Sequence, residues 1–137
     1  MGVNKIEHIG IAVKSLADTS NLYEKLLGVA PYKMEAVETE HVKTLFFNVG
    51  ESKVELLEAS SEESAITKFI AKRGEGIHHI AFHVDNIEEE MSRLRQEGFR
   101  LVSDQVRRGA DNKWVCFVYP KDTQGVLIEL CQDIIDE

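Results

Sequence analysis

Two histidines and two glutamates recur at matching places in this 137-residue chain, and together they have the donor types of a divalent-metal site. His8 lies in IEHIGIAVKSL and Glu55 in FFNVGESKVELLE, while His79 lies in IHHIAFHVDNI and Glu129 in CFVYPKDTQGVLIELC. Each glutamate stands between apolar neighbours, Val54 and Leu56 or Ile128 and Leu130, where a carboxylate is costly unless it is paired or bound to metal. Two neutral imidazoles and two carboxylates suit one ion of intermediate softness, Co, Mn, Ni, Zn or Fe, and leave octahedral positions open for chemistry. A closed structural zinc site would more often use thiolates. Cys116 and Cys131 have no C-x-x-C spacing and sit in apolar, strand-like runs, so they read as reduced, buried thiols. Taken singly, each histidine could be an ordinary sheet residue and each glutamate an edge-strand charge. Their joint recurrence points to a metal.

The elements that must position these residues form an internal duplication. The first stretch opens at Ile6–Leu16, continues into an amphipathic helix ending at Gly28 and closes at Phe46–Glu58. The second opens at Ile77–Ile87, passes through a helix ending at Gly98 and closes at Cys116–Cys131. Residues 4–58 and 77–134 are thus expected as two modules, each a strand, a helix and several strands, joined by a 59–76 linker with a short helix marked by Ile66, Phe69 and Ile70. Ser15 with Asp18, and Asp85 with Glu88, resemble capping boxes, and Gly28 and Gly98 suit left-handed C-terminal caps. Leu16, Leu22, Tyr23, Leu26 and Leu27 predict one apolar stripe packed on a sheet, and Ile87, Met91 and Leu94 a second. Strand alternation puts Ile9, Ile11 and Val13 on one face and His8, Gly10 and Ala12 on the other; Ile80, Phe82 and Val84 likewise oppose His79, Ala81 and His83. The large apolar residues can face a helix, which leaves a small, polar face with room for a ligand. A half of about 60 residues buries too little surface alone, so the modules are expected to share a core or dimerise.

Composition narrows the partners. With 16 Lys+Arg against 24 Asp+Glu, a net charge of −8 and no basic run, neither nucleic acid nor an anionic membrane surface is expected. No stretch approaches the roughly 20 apolar residues of a membrane span, and the start MGVNKIEHIGIAV lacks the features of a signal peptide, so a cytoplasmic protein is expected. Other candidates have simpler readings. His78 points away from the His79 face, His83 sits about 13 Å along it, and His41 lies in a charged stretch, Glu35 to Lys43, read as a loop. Glu88, Glu89 and Glu90 open a helix, where negative charge suits the dipole. Lys121, Arg107 and Arg108 are read as solvated surface charge, though they could meet a substrate carboxylate or phosphates.

The ordered set HIGIAV (8–13), VELLE (54–58), GIHHIAFHV (76–84) and YPKDTQGVLIEL (119–130) resembles the methylmalonyl-CoA epimerase family, within the vicinal oxygen chelate superfamily that includes glyoxalase I, over nearly the whole chain. The resemblance implies an α+β fold of two tandem βαβββ modules whose mixed sheet curls around a metal-binding cavity. It also implies a homodimer and interconversion of the epimers of methylmalonyl-CoA, a CoA thioester. It places one metal on His8, Glu55, His79 and Glu129 and makes Glu129 an acid/base group. Some family members carry Gln at the place of Glu55, so this ligand set has one more negative charge and predicts a less electrophilic metal. Epimerisation removes a proton from one face of a carbon and returns one to the other, so two acid/base groups are expected. The family's second carboxylate corresponds to Thr44, which cannot serve as one. Glu38, Glu40 or a water relay is then expected to stand in, or the chain has a related activity. A glyoxalase I-type lactoylglutathione lyase and a non-catalytic small-molecule binder are the alternatives. A ring-cleaving dioxygenase would use two histidines and one carboxylate, against which Glu55 counts as a fourth ligand.

Overall fold

The computed structural model describes residues 2–135. Its element order is β1 (Val3–Ala12), α1 (Leu16–Leu27), β2 (Lys33–Val37), a 3-10 turn (Glu38–Glu40), β3 (Val42–Val49), β4 (Ser52–Ala59), α2 (Ala65–Arg73), β5 (Gly76–Val84), α3 (Ile87–Gln96), β6 (Arg107–Gly109), β7 (Lys113–Val118), a second 3-10 turn (Pro120–Thr123) and β8 (Ile128–Asp133). The fold is α+β, built as two βαβββ sequences with α2 between them. In each, the opening strand runs parallel to the closing one (β1 with β4, β5 with β8), and the remaining neighbours are antiparallel. That arrangement follows from connection length: short turns join antiparallel strands, whereas a parallel pair needs a long crossover.

The chain forms two compact units, His8–His78, and Met1–Glu7 with His79–Glu137. The first therefore includes α2, and the second takes in the start of β1. In the first unit the strand order is β2-β3-β4-β1, and α1 packs on the face carrying Ile11, Val13, Leu45, Phe47, Val54 and Leu56. Leu16, Tyr23 and Leu27 face that core, as the periodicity predicts. Leu22 and Leu26 do not: they are 61% and 71% exposed. The reason is angular. Residues 16, 23 and 27 lie along one line of the helix, whereas 22 and 26 are turned about 100° from 23 and 27, beyond the edge of the contact. Ser15 caps α1 by accepting from the Asp18 N–H at 3.2 Å, and Gly28 ends it at φ 74°. The Glu58 carboxylate accepts a second helix-end N–H, that of Leu16, at 2.8 Å. On the other face of the sheet, α2 seats Ile66, Phe69 and Ile70 against Ala12, Val42, Leu57 and Ala59.

In the second unit β5 is followed by β8, β7 and β6. Ile87, Met91 and Leu94 of α3 pack with Phe82, Val84, Cys116 and Leu130, as expected from their spacing. The cap differs from the expected one. Asn86 accepts from the Glu89 N–H at 3.1 Å, while Asp85 accepts from Asn4 at 2.8 Å, so the cap falls one residue later. Gly98, at φ 94°, follows the helix end. Cys116 and Cys131 are free and buried, and burial, helped by the negative charge of Glu129, pushes the Cys116 thiol up to about 12.

Glu90 departs from the simple dipole reading. It is 2% exposed and binds the Gly2 N–H at 2.9 Å and the Arg93 Nε–H at 2.9 Å. Burial pushes its carboxyl up, but these hydrogen bonds outweigh that effect and hold it below its usual value. A depressed pKa stabilises the fold above the unfolded value and ceases to do so as pH falls through the folded one. Glu90→Gln should therefore lower the unfolding free energy by about 2 kcal/mol at pH 7. In urea titrations the deficit should shrink as pH falls below about 4; a deficit independent of pH would disprove this role.

Candidate functional site

Strand pairing builds a half-site in each unit. In the first, β1 places His8, Gly10 and Ala12 on the face opposite α1, and all three are buried. Gly10 pairs with Glu55, Glu55 with Phe46, and Phe46 with Lys33, forming one row across β1, β4, β3 and β2. His8 Nδ1 lies 3.1 Å from Glu55 Oε2, and both residues are about 4% exposed. In the second unit Ala81 pairs with Glu129 and Glu129 with Phe117, an equivalent row across β5, β8 and β7. His79 Nε2 lies 3.1 Å from Glu129 Oε1, both residues again buried, and the His79 ring meets Phe117 edge-on, with centroids 6.1 Å apart.

The two half-sites thus share a plan: a buried imidazole, a buried carboxylate, a small residue beside the carboxylate on one strand and a phenylalanine on the next. The plan suits a metal on chemical grounds. Two donors at about 2.1 Å from an ion and at right angles to one another lie about 3.0 Å apart, close to the 3.1 Å seen within each pair. Buried carboxylates also need a compensating charge, which a divalent ion supplies. His8, His79, Glu55 and Glu129 are each of a type that could donate to such an ion.

The remaining sequence candidates fall elsewhere. His78 packs edge-on against Phe69 with centroids 5.0 Å apart. His83 Nδ1 lies 3.0 Å from Asn4 Nδ2 and its Nε2 lies 3.2 Å from Asp133 Oδ2, a structural bridge. Asp133 is also held by Lys113 at 2.6 Å, and the Lys113 hydrogen bond draws the Asp133 carboxyl below its usual range. His41 adopts φ 52° after the 3-10 turn, with Nε2 3.5 Å from Glu63. Arg108 donates to Asn112 at 3.1 Å and lies over the Trp114 ring, rather than being simply solvated. Lys121 is exposed in the second 3-10 turn.

Around Thr44 the structure corrects the sequence reading. Thr44 is 1% exposed and lies on the Glu55 face. Glu38 and Glu40 are exposed in the turn beyond β2. Part of the stretch read as a charged loop is strand: Lys33–Val37 pairs along β3 and sets Glu35 directly opposite Thr44. The missed signal is the alternation of Lys33, Glu35 and Val37 with Met34 and Ala36, a period of two hidden by the charges.

Against this geometry stand the likenesses to known proteins. Residues 7–117 match the family model of the Glyoxalase/Bleomycin resistance protein/Dioxygenase superfamily. The chain is 39% identical over 130 residues to the uncharacterized protein YqjC of Bacillus subtilis, covering 95% of this chain and 93% of that one. It is 35% identical over 131 residues to the mitochondrial methylmalonyl-CoA epimerase of Mus musculus, covering 95% and 74%. Its fold superimposes on a single-substitution variant of the Streptomyces coelicolor methylmalonyl-CoA epimerase in complex with 2-nitronate-propionyl-CoA with a TM-score of 0.91, at 35% identity, covering 99% of each chain.

Proposed function

The chain belongs to the Glyoxalase/Bleomycin resistance protein/Dioxygenase superfamily, and from that premise we propose that it is a metal-dependent epimerase interconverting (R)- and (S)-methylmalonyl-CoA. The observation that carries this reading is the coincidence of two buried His–Glu pairs, one per half, with near-full-length likeness to epimerases of that thioester. In this reading His8, Glu55, His79 and Glu129 hold one divalent cation. When bound, the cation supplies positive charge that lowers the cost of enolate formation.

The chain's own residues do the rest. The carbon to be inverted lies between a thioester carbonyl and a carboxylate, so its proton is acidic enough for a carboxylate to remove once the enolate is stabilised. Glu129 is the first acid/base group: its carboxylate takes the α-proton from one epimer or, as the acid, returns one. Phe46 and Phe117, the cross-strand neighbours of the two glutamates, help to exclude water, which would dilute the electrostatic stabilisation.

The test is incubation of the manganese- or cobalt-loaded protein with methylmalonyl-CoA in deuterated water, following deuterium at the α-carbon and chirality together. Exchange with inversion is expected. Absence of exchange, with turnover of the methylglyoxal–glutathione adduct instead, would assign the chain to the lactoylglutathione lyases.

A further inference from the structure

We propose that Glu35 is the second acid/base group of the epimerisation, an inference that rests on the function proposed above. Inversion through a planar enolate needs one proton-transferring group for each face. A threonine hydroxyl cannot act as a carboxylate does, since it does not ionise near neutral pH, so Thr44 leaves the role vacant. The face that carries His8 and Glu55 has a short inventory. Strand alternation and register place on it His8, Gly10 and Ala12 from β1; Lys53, Glu55, Leu57 and Ala59 from β4; Val42, Thr44, Phe46 and Asn48 from β3; and Lys33, Glu35 and Val37 from β2. Among these residues the carboxylates are Glu55, assigned to the metal, and Glu35; Glu7, on the opposite parity of β1 and 3% exposed, has its carboxylate within 4.8 Å of the His8 and Glu55 donor atoms and is counted with the metal group.

Position and orientation both favour Glu35. Directly opposed residues on antiparallel strands have β-carbons about 5 Å apart, so the longer side chain of Glu35 can carry its carboxylate across the neighbouring Thr44. The carboxylate also leans the right way along the strand. Lys33 Nζ holds Glu35 Oε1 at 3.1 Å, and the same ammonium lies 5.4 Å from the centre of the Phe46 ring, in the row of Glu55. The side chains of Lys33 and Glu35 are only 38% and 30% exposed, so the pair is partly shielded yet reachable. The corresponding outer-strand place in the other half, paired with Val115 as Glu35 is with Thr44, holds Arg107. A guanidinium remains protonated and cannot take a proton, so only the first half offers such a base.

The proton balance is simple. Glu35 as carboxylate takes the α-proton of one epimer, and the C–H electron pair passes into the enolate. Glu129 as carboxylic acid protonates the opposite face, its O–H pair remaining on the carboxylate. Exchange with solvent then returns Glu35 to the carboxylate and Glu129 to the acid, and the reverse reaction uses the same groups in the opposite order.

The test is Glu35→Gln, manganese-loaded, assayed in deuterated water with each methylmalonyl-CoA epimer separately. Epimerisation should fall by about 100-fold or more. Deuterium wash-in without inversion should persist for the one epimer that Glu129 serves, within about threefold of wild type, with metal content unchanged. Wild-type epimerisation in the variant would overturn the assignment, as would equal loss of exchange from both epimers. Wild-type protein that exchanges neither epimer would instead overturn the underlying function, and this assignment with it.

Discussion

Replacing Glu129 by Gln should slow epimerisation, and α-proton exchange of the epimer that Glu129 serves, by about 1000-fold while leaving the fold nearly intact. Glutamine matches glutamate in size, so the 5%-exposed position in β8 suffers no change of volume, and its amide oxygen can still face a cation. What it cannot do at neutral pH is take up or release a proton, and that loss falls on the chemical step alone. The unfolding free energy should change by less than about 1.5 kcal/mol, and kcat should fall far more than KM rises. The converse pattern, a large loss of stability with exchange of both epimers retained, would make Glu129 a structural partner of His79 and remove it from catalysis.

The second large effect concerns the metal itself. Saturating the chelator-treated protein with manganese or cobalt at about 100 times its dissociation constant should stabilise the fold by about 2.7 kcal/mol, a rise in melting temperature of roughly 10 °C for a domain of this size. His79→Ala should lower metal affinity by more than 100-fold, since losing even an outer-sphere partner costs about 10–100-fold. It should also abolish the metal-induced rise in melting temperature. Equilibrium dialysis with metal analysis, beside thermal unfolding, measures both quantities. Unchanged stoichiometry in His79→Ala would remove this residue from the ligand set whatever the activity of the wild-type protein.

Much of the geometry was legible in the residues because strand alternation is a strict rule. Once Ile9, Ile11 and Val13 are assigned to the helix-facing side, His8 must face the other way, and the same parity separates His79 from His78. The duplicated order of motifs then matched His8 with Glu55 and His79 with Glu129, and in the structure each histidine does lie 3.1 Å from its own glutamate. Where reading failed, a local signal was ambiguous or a distant partner decided the outcome. Leu22 and Leu26 are hydrophobic and near the right spacing, but they are turned about 100° from Tyr23 and Leu27 and stay exposed. Asp85 and Asn86 are both good caps, and Asn4, 81 residues away in sequence, engages the first. β2 was hidden because it is only five residues long and three of them, Lys33, Met34 and Ala36, are exposed, so no apolar face marks it.

Taken alone, the amino-acid order determined the repeat of strand, helix and further strands, the faces on which His8, Glu55, His79 and Glu129 stand, and the absence of a carboxylate at position 44. These depend on the two-residue period of a strand and the 3.6-residue period of a helix, both readable within a short window. Only the tertiary structure decided which outer strand lies beside Thr44, and so that Glu35 rather than Glu38 or Glu40 shares the face of Glu55. It alone revealed that Glu90 anchors the Gly2 backbone. Register across strands is set by packing and by turn geometry, neither of which a single strand's residues specify, and a slip of one position would have turned Glu35 to the opposite face.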